Sequence, residues 1–91
     1  MVLHYKIKVV GKVQGVWFRD STRSKALELS IKGFVRNESD GSVYIEAEGD
    51  KNGLQQLVDW CQTGPELARV DKVVVEDGAI EHFVSFEIRK F

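Results

Sequence analysis

In the run Gly11-Lys12-Val13-Gln14-Gly15-Val16-Trp17-Phe18-Arg19, a strand-like stretch empties into a glycine-bearing turn that closes on an arginine, with helix-like sequence directly behind it. Such a segment is able to hold a tetrahedral anion. Backbone N–H groups of the turn converge on the anion, the first turn of the following helix adds unpaired donors, and the guanidinium supplies a planar fork that matches phosphate oxygens. Taken singly these residues are ordinary, since glycine turns are common in loops and most arginines lie on the surface. Their adjacency makes them a candidate site, provided the surrounding elements hold them in place.

Those elements are legible from periodicity. Tyr5, Ile7 and Val9 alternate with Lys6, Lys8 and Val10, the pattern of a strand with one buried face. After the glycine turn, Ser21 or Thr22 is suited to cap a helix with Ala26, Leu27, Ser30 and Ile31 on one side, and Gly33 is suited to end it. Phe34 to Glu38 and Ser42 to Glu48 read as two strands joined at Ser39-Asp40-Gly41, a hairpin signal. In the second of these, Val43, Ile45 and Ala47 share a face opposite Tyr44, Glu46 and Glu48, as in a sheet wet on one side. Gly49 and Asp50 open a helix whose stripe is Leu54, Leu57, Val58 and Cys61, and Gly64-Pro65 stops it after Thr63. Val70 to Glu76 resumes as strand, and Phe83 to Ile88 forms a final short run without an assignable pairing partner.

The order strand-helix-strand-strand-helix-strand is the split βαβ arrangement of ferredoxin-like folds. The predicted class is therefore α+β: a βαββαβ sandwich of an antiparallel sheet with two helices on one face, leaving room for an extra C-terminal edge strand. Residues 1–91 read as one domain. A right-handed crossover through the first helix makes the first two strands parallel, so both end at the same edge. Asn37 ends there and, by the period of two, shares the side of Val35. That is the helix-covered side, which brings Asn37 toward the turn from Gln14 to Arg19.

In both Gly11–Arg19 and Gly33–Val43, the latter running on to Gly49, the chain resembles the acylphosphatase family, and it does so over nearly its whole length. The resemblance implies hydrolysis of the carboxyl–phosphate bond of acyl phosphates, releasing inorganic phosphate. It places phosphate binding on Arg19 and the orientation of the attacking water on Asn37. Trp17 stands where family members commonly carry glycine or an aromatic, which implies altered substrate access and retained activity. Phosphoryl transfer needs mainly positioning and charge neutralisation, and a carboxylate with an ordinary pKa of about 4 leaves without a general acid. Backbone donors of Gln14, Gly15, Val16, Trp17 and Phe18, with the Arg19 fork, suffice for the equatorial oxygens. No metal and no cofactor are expected, and no histidine is required.

Composition narrows the alternatives. Thirteen basic and fourteen acidic side chains leave a net charge of −1, which provides no global attraction for nucleic acid or anionic membrane. A small-molecule partner follows. No apolar run has the length of a membrane span, the first residues lack a secretory pattern, and one cysteine excludes an internal disulfide, so a cytoplasmic protein is expected. Charged edge strands point to a monomer. Two non-catalytic readings compete: an RNA-binding module of the same topology, and a regulatory domain that binds a small anion. The first needs aromatics on the open faces of the central strands, where this sequence has Lys6, Lys8, Glu46 and Glu48, with Tyr44 the single residue for stacking. Of the remaining chemistry-bearing residues, Ser21 and Thr22 read as caps and Asp20 as an outward-pointing helix-start carboxylate. Cys61 reads as a core thiol, and His4 and His82 lie too far apart in sequence to suggest a metal pair.

Overall fold

A computed structural model describes residues 1–90. The alternation seen in the sequence decides how the first strand, β1 (Leu3–Lys12), sits: Ile7 and Val9 are completely buried, whereas Lys8 between them is exposed. Helix α1 (Phe18–Glu28) follows, then the hairpin of β2 (Lys32–Asn37) and β3 (Val43–Gly49), helix α2 (Lys51–Cys61), β4 (Arg69–Asp77) and β5 (Phe86–Arg89). The sheet order is β4-β1-β3-β2-β5. β1 and β2 both run antiparallel to β3, with Ile7 and Val35 each opposite Ile45, so they are parallel to each other and end at the same edge. Both helices cover the face carrying Ile7, Val9, Val35 and Ile45, where Ala26 of α1 and Leu54 and Leu57 of α2 complete the core. This is the ferredoxin-like α+β arrangement expected, with β5 added as an edge strand parallel to β2.

Two terminators differ from expectation. Helix α1 starts at Phe18, earlier than a cap at Ser21 or Thr22 would allow, and Trp17 occupies the N-cap with φ 66° and no side-chain cap bond. The reason is packing. Phe18 is 2% exposed and stacks 5.4 Å from Trp60, so its burial fixes the helix start, and the polar residues fall inside the helix. Thr22 instead donates its hydroxyl back to the Phe18 carbonyl at 2.8 Å. At the other end Gly33 lies within β2, and the left-handed residue is Ser30 at φ 59°. Ser30 N–H donates to the Leu27 carbonyl and Ile31 N–H to that of Ala26, the paired closure that ends a helix when a buried apolar residue follows. Helix α2 starts as expected, with the Asp50 carboxylate accepting from Gly53 N–H at 2.7 Å. Its Cys61 is fully buried, which pushes the thiol up to about 12.

The face opposite the helices is not as wet as alternation suggested. The segment from Gly78 to Ser85 crosses it as a strap, and the strand predicted from Phe83 begins instead at Phe86. Both ring nitrogens of buried His4 face carboxylates, Nδ1 at 2.7 Å from Glu48 and Nε2 at 2.8 Å from Glu46. Glu48 is 4% exposed and also accepts the backbone N–H groups of Glu81 and Phe83. Burial alone would push its carboxyl up, yet these hydrogen bonds outweigh it and hold the pKa below the usual value of 4.5. Glu46 is depressed in the same sense, burial being outweighed by the Tyr44 hydroxyl and His4. Phe34 completes this second layer, edge-on to Phe83 with ring centroids 5.9 Å apart and with Arg89 4.2 Å from its centroid.

Glu48→Gln is expected to lower the unfolding free energy at pH 7 by about 3 kcal/mol, because it removes the charged carboxylate that His4 and the backbone N–H groups of Glu81 and Phe83 share. A depressed carboxyl contributes its full stability above the unfolded value, near 4.5, and loses it as pH falls through the lower folded value. Urea titrations from pH 7 to pH 3 should therefore show a steep acid limb for the natural chain and a flatter one for the variant.

Candidate functional site

The chain leaves β1 through a register shift between Val10 and Gly11. Gly11 lies at φ 143°, and a Cβ there would fall 2.1 Å from the Arg69 carbonyl oxygen, so only glycine lets the strand bend here against β4. The bend delivers Val13 to Trp17 above the strand ends. Val13, Val16 and Phe18 are 1%, 5% and 2% exposed, so the loop is gripped by its apolar side chains while its polar backbone stays outside the core.

Within that grip, Gly15 at φ 72° and Trp17 at φ 66° adopt the left-handed conformation on either side of Val16. Residues of alternating hand turn successive N–H groups to one side, forming a concave nest for an anion. Among the described residues, no backbone N–H from Gly15 to Trp17 donates within the protein. The first N–H groups of α1 have no intrahelical acceptor either, and they carry the positive end of the helix dipole.

Gln14 fastens this loop to the hairpin. Its side-chain amide donates to the Glu38 carbonyl at 2.8 Å and to the Ser42 carbonyl at 2.9 Å, just beyond the end of β2. The hairpin is itself braced, since Asp40 accepts from the backbone and hydroxyl of Ser42 and from Lys8. The Lys8 hydrogen bond, followed by those of Ser42, holds the Asp40 carboxyl well below the usual carboxylate range.

A cleft of about 340 Å³ opens between loop and strand. It brings together Gly15, Trp17, Phe18, Arg19 and Asn37 of the residues singled out from sequence. Gln14 and Val16 do not line it with their side chains, Gln14 being engaged with the hairpin and Val16 with the core. The salt bridges among the described residues do not include Arg19. The Oδ1 atom of Asn37 is buried without a hydrogen-bond partner among the described residues. An unpaired buried acceptor costs about 1–3 kcal/mol, so this atom favours any donor that enters the cleft.

Three lining residues were not in the sequence-derived set. Asp20, expected to point away, stands on the rim shared by this cleft and the adjoining groove along α1. The early helix start is the cause, because it moves Asp20 onto the first turn beside Arg19. Val13 contributes an apolar floor. Ile88 comes from β5, and no sequence signal announces it, since its position follows from parallel pairing with Val35.

The acylphosphatase family model matches residues 5–88. An acylphosphatase from Salinibacter ruber is 45% identical over 84 residues, covering 91% of this chain and 88% of its own length. Of solved structures, an acylphosphatase from Coxiella burnetii superimposes with a TM-score of 0.94 at 39% identity, over 97% of this chain and 93% of that one. An acylphosphatase from Bacillus subtilis gives 0.93 at 36% identity, over 96% and 98%.

Gln14→Ala removes two neutral hydrogen bonds whose acceptors keep other partners in the turn. A loss of about 1–2 kcal/mol of stability is expected by urea denaturation. Calorimetric titration with inorganic phosphate should show severalfold weaker binding, because the loop loses its tether.

Proposed function

The chain belongs to the acylphosphatase family and hydrolyses acyl phosphates to a carboxylate and inorganic phosphate, and we propose that it does so in the cleft between the Gln14–Phe18 turn and Asn37. The observation that carries this reading is that one cleft brings together the Arg19 guanidinium, which joins no salt bridge among the described residues, the left-handed turn at Gly15 and Trp17, and a buried Asn37 carboxamide oxygen without a partner among those residues. In this reading the amides of Gln14 to Phe18 and the Arg19 fork receive the phosphoryl oxygens, and charge developing on them is met by dipoles already in position. Asn37 accepts a hydrogen bond from the attacking water and sets it in line with the phosphorus, which is an orientation effect and needs no strong base. The leaving carboxylate, with an ordinary pKa of about 4, departs without protonation.

Turnover is proposed to be independent of metal. Among the described residues the lining offers a single carboxylate, Asp20, next to a guanidinium, a poor donor set for a hard divalent cation. We further propose that residues 1–91 act as one domain, monomeric and cytoplasmic, without nucleic-acid or membrane partners. Charged residues along the edge strands β4 and β5 support the monomer, and no helix among the described residues is long and apolar enough to cross a membrane. The RNA-binding reading is not favoured: the strap and the His4–Glu48 pair cover part of the sheet face that such a module needs.

Steady-state hydrolysis of benzoyl phosphate tests the site. Asn37→Ala is expected to abolish most turnover while phosphate binding largely survives. Arg19→Lys keeps the charge but loses the bidentate fork, so a marked fall in kcat/KM is expected, and near-natural kinetics would contradict the role given to Arg19. EDTA should leave the rate unchanged, and chelator sensitivity would refute the metal-free route.

A further inference from the structure

Trp17 is the most exposed large apolar side chain in the cleft wall, with 71% of its surface open to solvent. It is also held at φ 66°, a conformation that a bulky residue adopts only when its surroundings impose it, and such outliers concentrate at ligand sites. The other large aromatics near the core pair with one another, Phe18 with Trp60 and Phe34 with Tyr44 and Phe83, whereas the Trp17 indole has no aromatic partner among the described residues. Its peptide N–H belongs to the anion nest while its ring stands on the wall outside it.

We propose that the Trp17 indole is the acyl-group subsite, against which an aromatic or extended apolar acyl chain packs, so that the enzyme selects such acyl phosphates over acetyl phosphate. The inference rests on the reading of this cleft as the place of hydrolysis. In-line attack by a water held at Asn37 directs the leaving carboxylate away from β2. Of the apolar lining groups, Val13 and Phe18 are buried to within 1% and 2%, and so have little surface left for a ligand. Ile88 lies on β5 beside β2, the strand of Asn37, and therefore on the side of the attacking water. That leaves Trp17, on the loop, as the surface available to the departing group.

The test compares KM and kcat for benzoyl phosphate and acetyl phosphate in the natural enzyme, Trp17→Gly and Trp17→Phe. Glycine at a left-handed position relieves strain, so the variant is expected to fold, with a melting temperature equal to or above that of the natural chain. Its KM for benzoyl phosphate should rise about tenfold relative to its KM for acetyl phosphate, the size of one lost aromatic stacking contact, since any change in the nest itself acts on both substrates alike. Phenylalanine should restore most of the discrimination. A benzoyl-to-acetyl KM ratio in Trp17→Gly equal to that of the natural enzyme would overturn the subsite. Natural activity toward both substrates in Asn37→Ala would instead overturn the reading of the cleft on which it rests.

Discussion

The site depends on one conformational constraint: a backbone loop kept in an unfavourable shape by what its neighbours bury. Left-handed geometry at Gly15 and Trp17 turns amides toward a common point, and for Trp17 that geometry opposes the intrinsic preference of the residue. Nothing local would maintain it. Val13, Val16 and Phe18 sunk in the core on one side, and the Gln14 amide tied to the hairpin on the other, hold it open before any anion arrives. The strain is thus compensated by burial.

The sheet supplies the second half of the site by topology. Because β1 and β2 are both antiparallel to β3, their C-terminal ends meet at one edge, and the residue that ends β2 faces the loop that leaves β1. The strap across the open face extends this frame. Glu48 fixes the strap through two backbone N–H groups, and the chain then returns as β5 to place Ile88 in the cleft. The Glu48 carboxylate on one face of the sheet therefore bears on the shape of a cleft at its edge, through a continuous run of backbone from Glu81 to Ile88.

Much of this was legible in the sequence, for reasons that can be named. Periodicity marked β1, β3 and the stripe of α2, since a half-buried element must alternate polar and apolar residues at its own period. The stripe expected for α1 was not found: Leu27 is 51% exposed and Ser30 and Ile31 lie beyond the helix, whose buried residues are Phe18, Thr22 and Ala26. The Asp50 cap and the Asp40-Gly41 hairpin were readable because their chemistry is local. The start of α1 was not. Ser21 and Thr22 are better caps than Trp17 by residue type, and a tertiary contact between Phe18 and Trp60 overrode that preference. The same displacement put Asp20 on the rim of the cleft. Glu48 looked like a solvent-facing alternate because period two distinguishes the faces of a sheet but not what later crosses them.

The sequence by itself determined the elements, their order and the two segments that hold the candidate site, because hydrophobic period, turn residues and crossover handedness are short-range rules. The three-dimensional structure alone decided how those segments meet. It set the left-handed turn at Trp17, the Gln14 tether, the partnerless Asn37 oxygen, and the edge strand that brings Ile88 alongside. Each of these depends on contacts between residues far apart in the chain, and such contacts exist only after the core has formed.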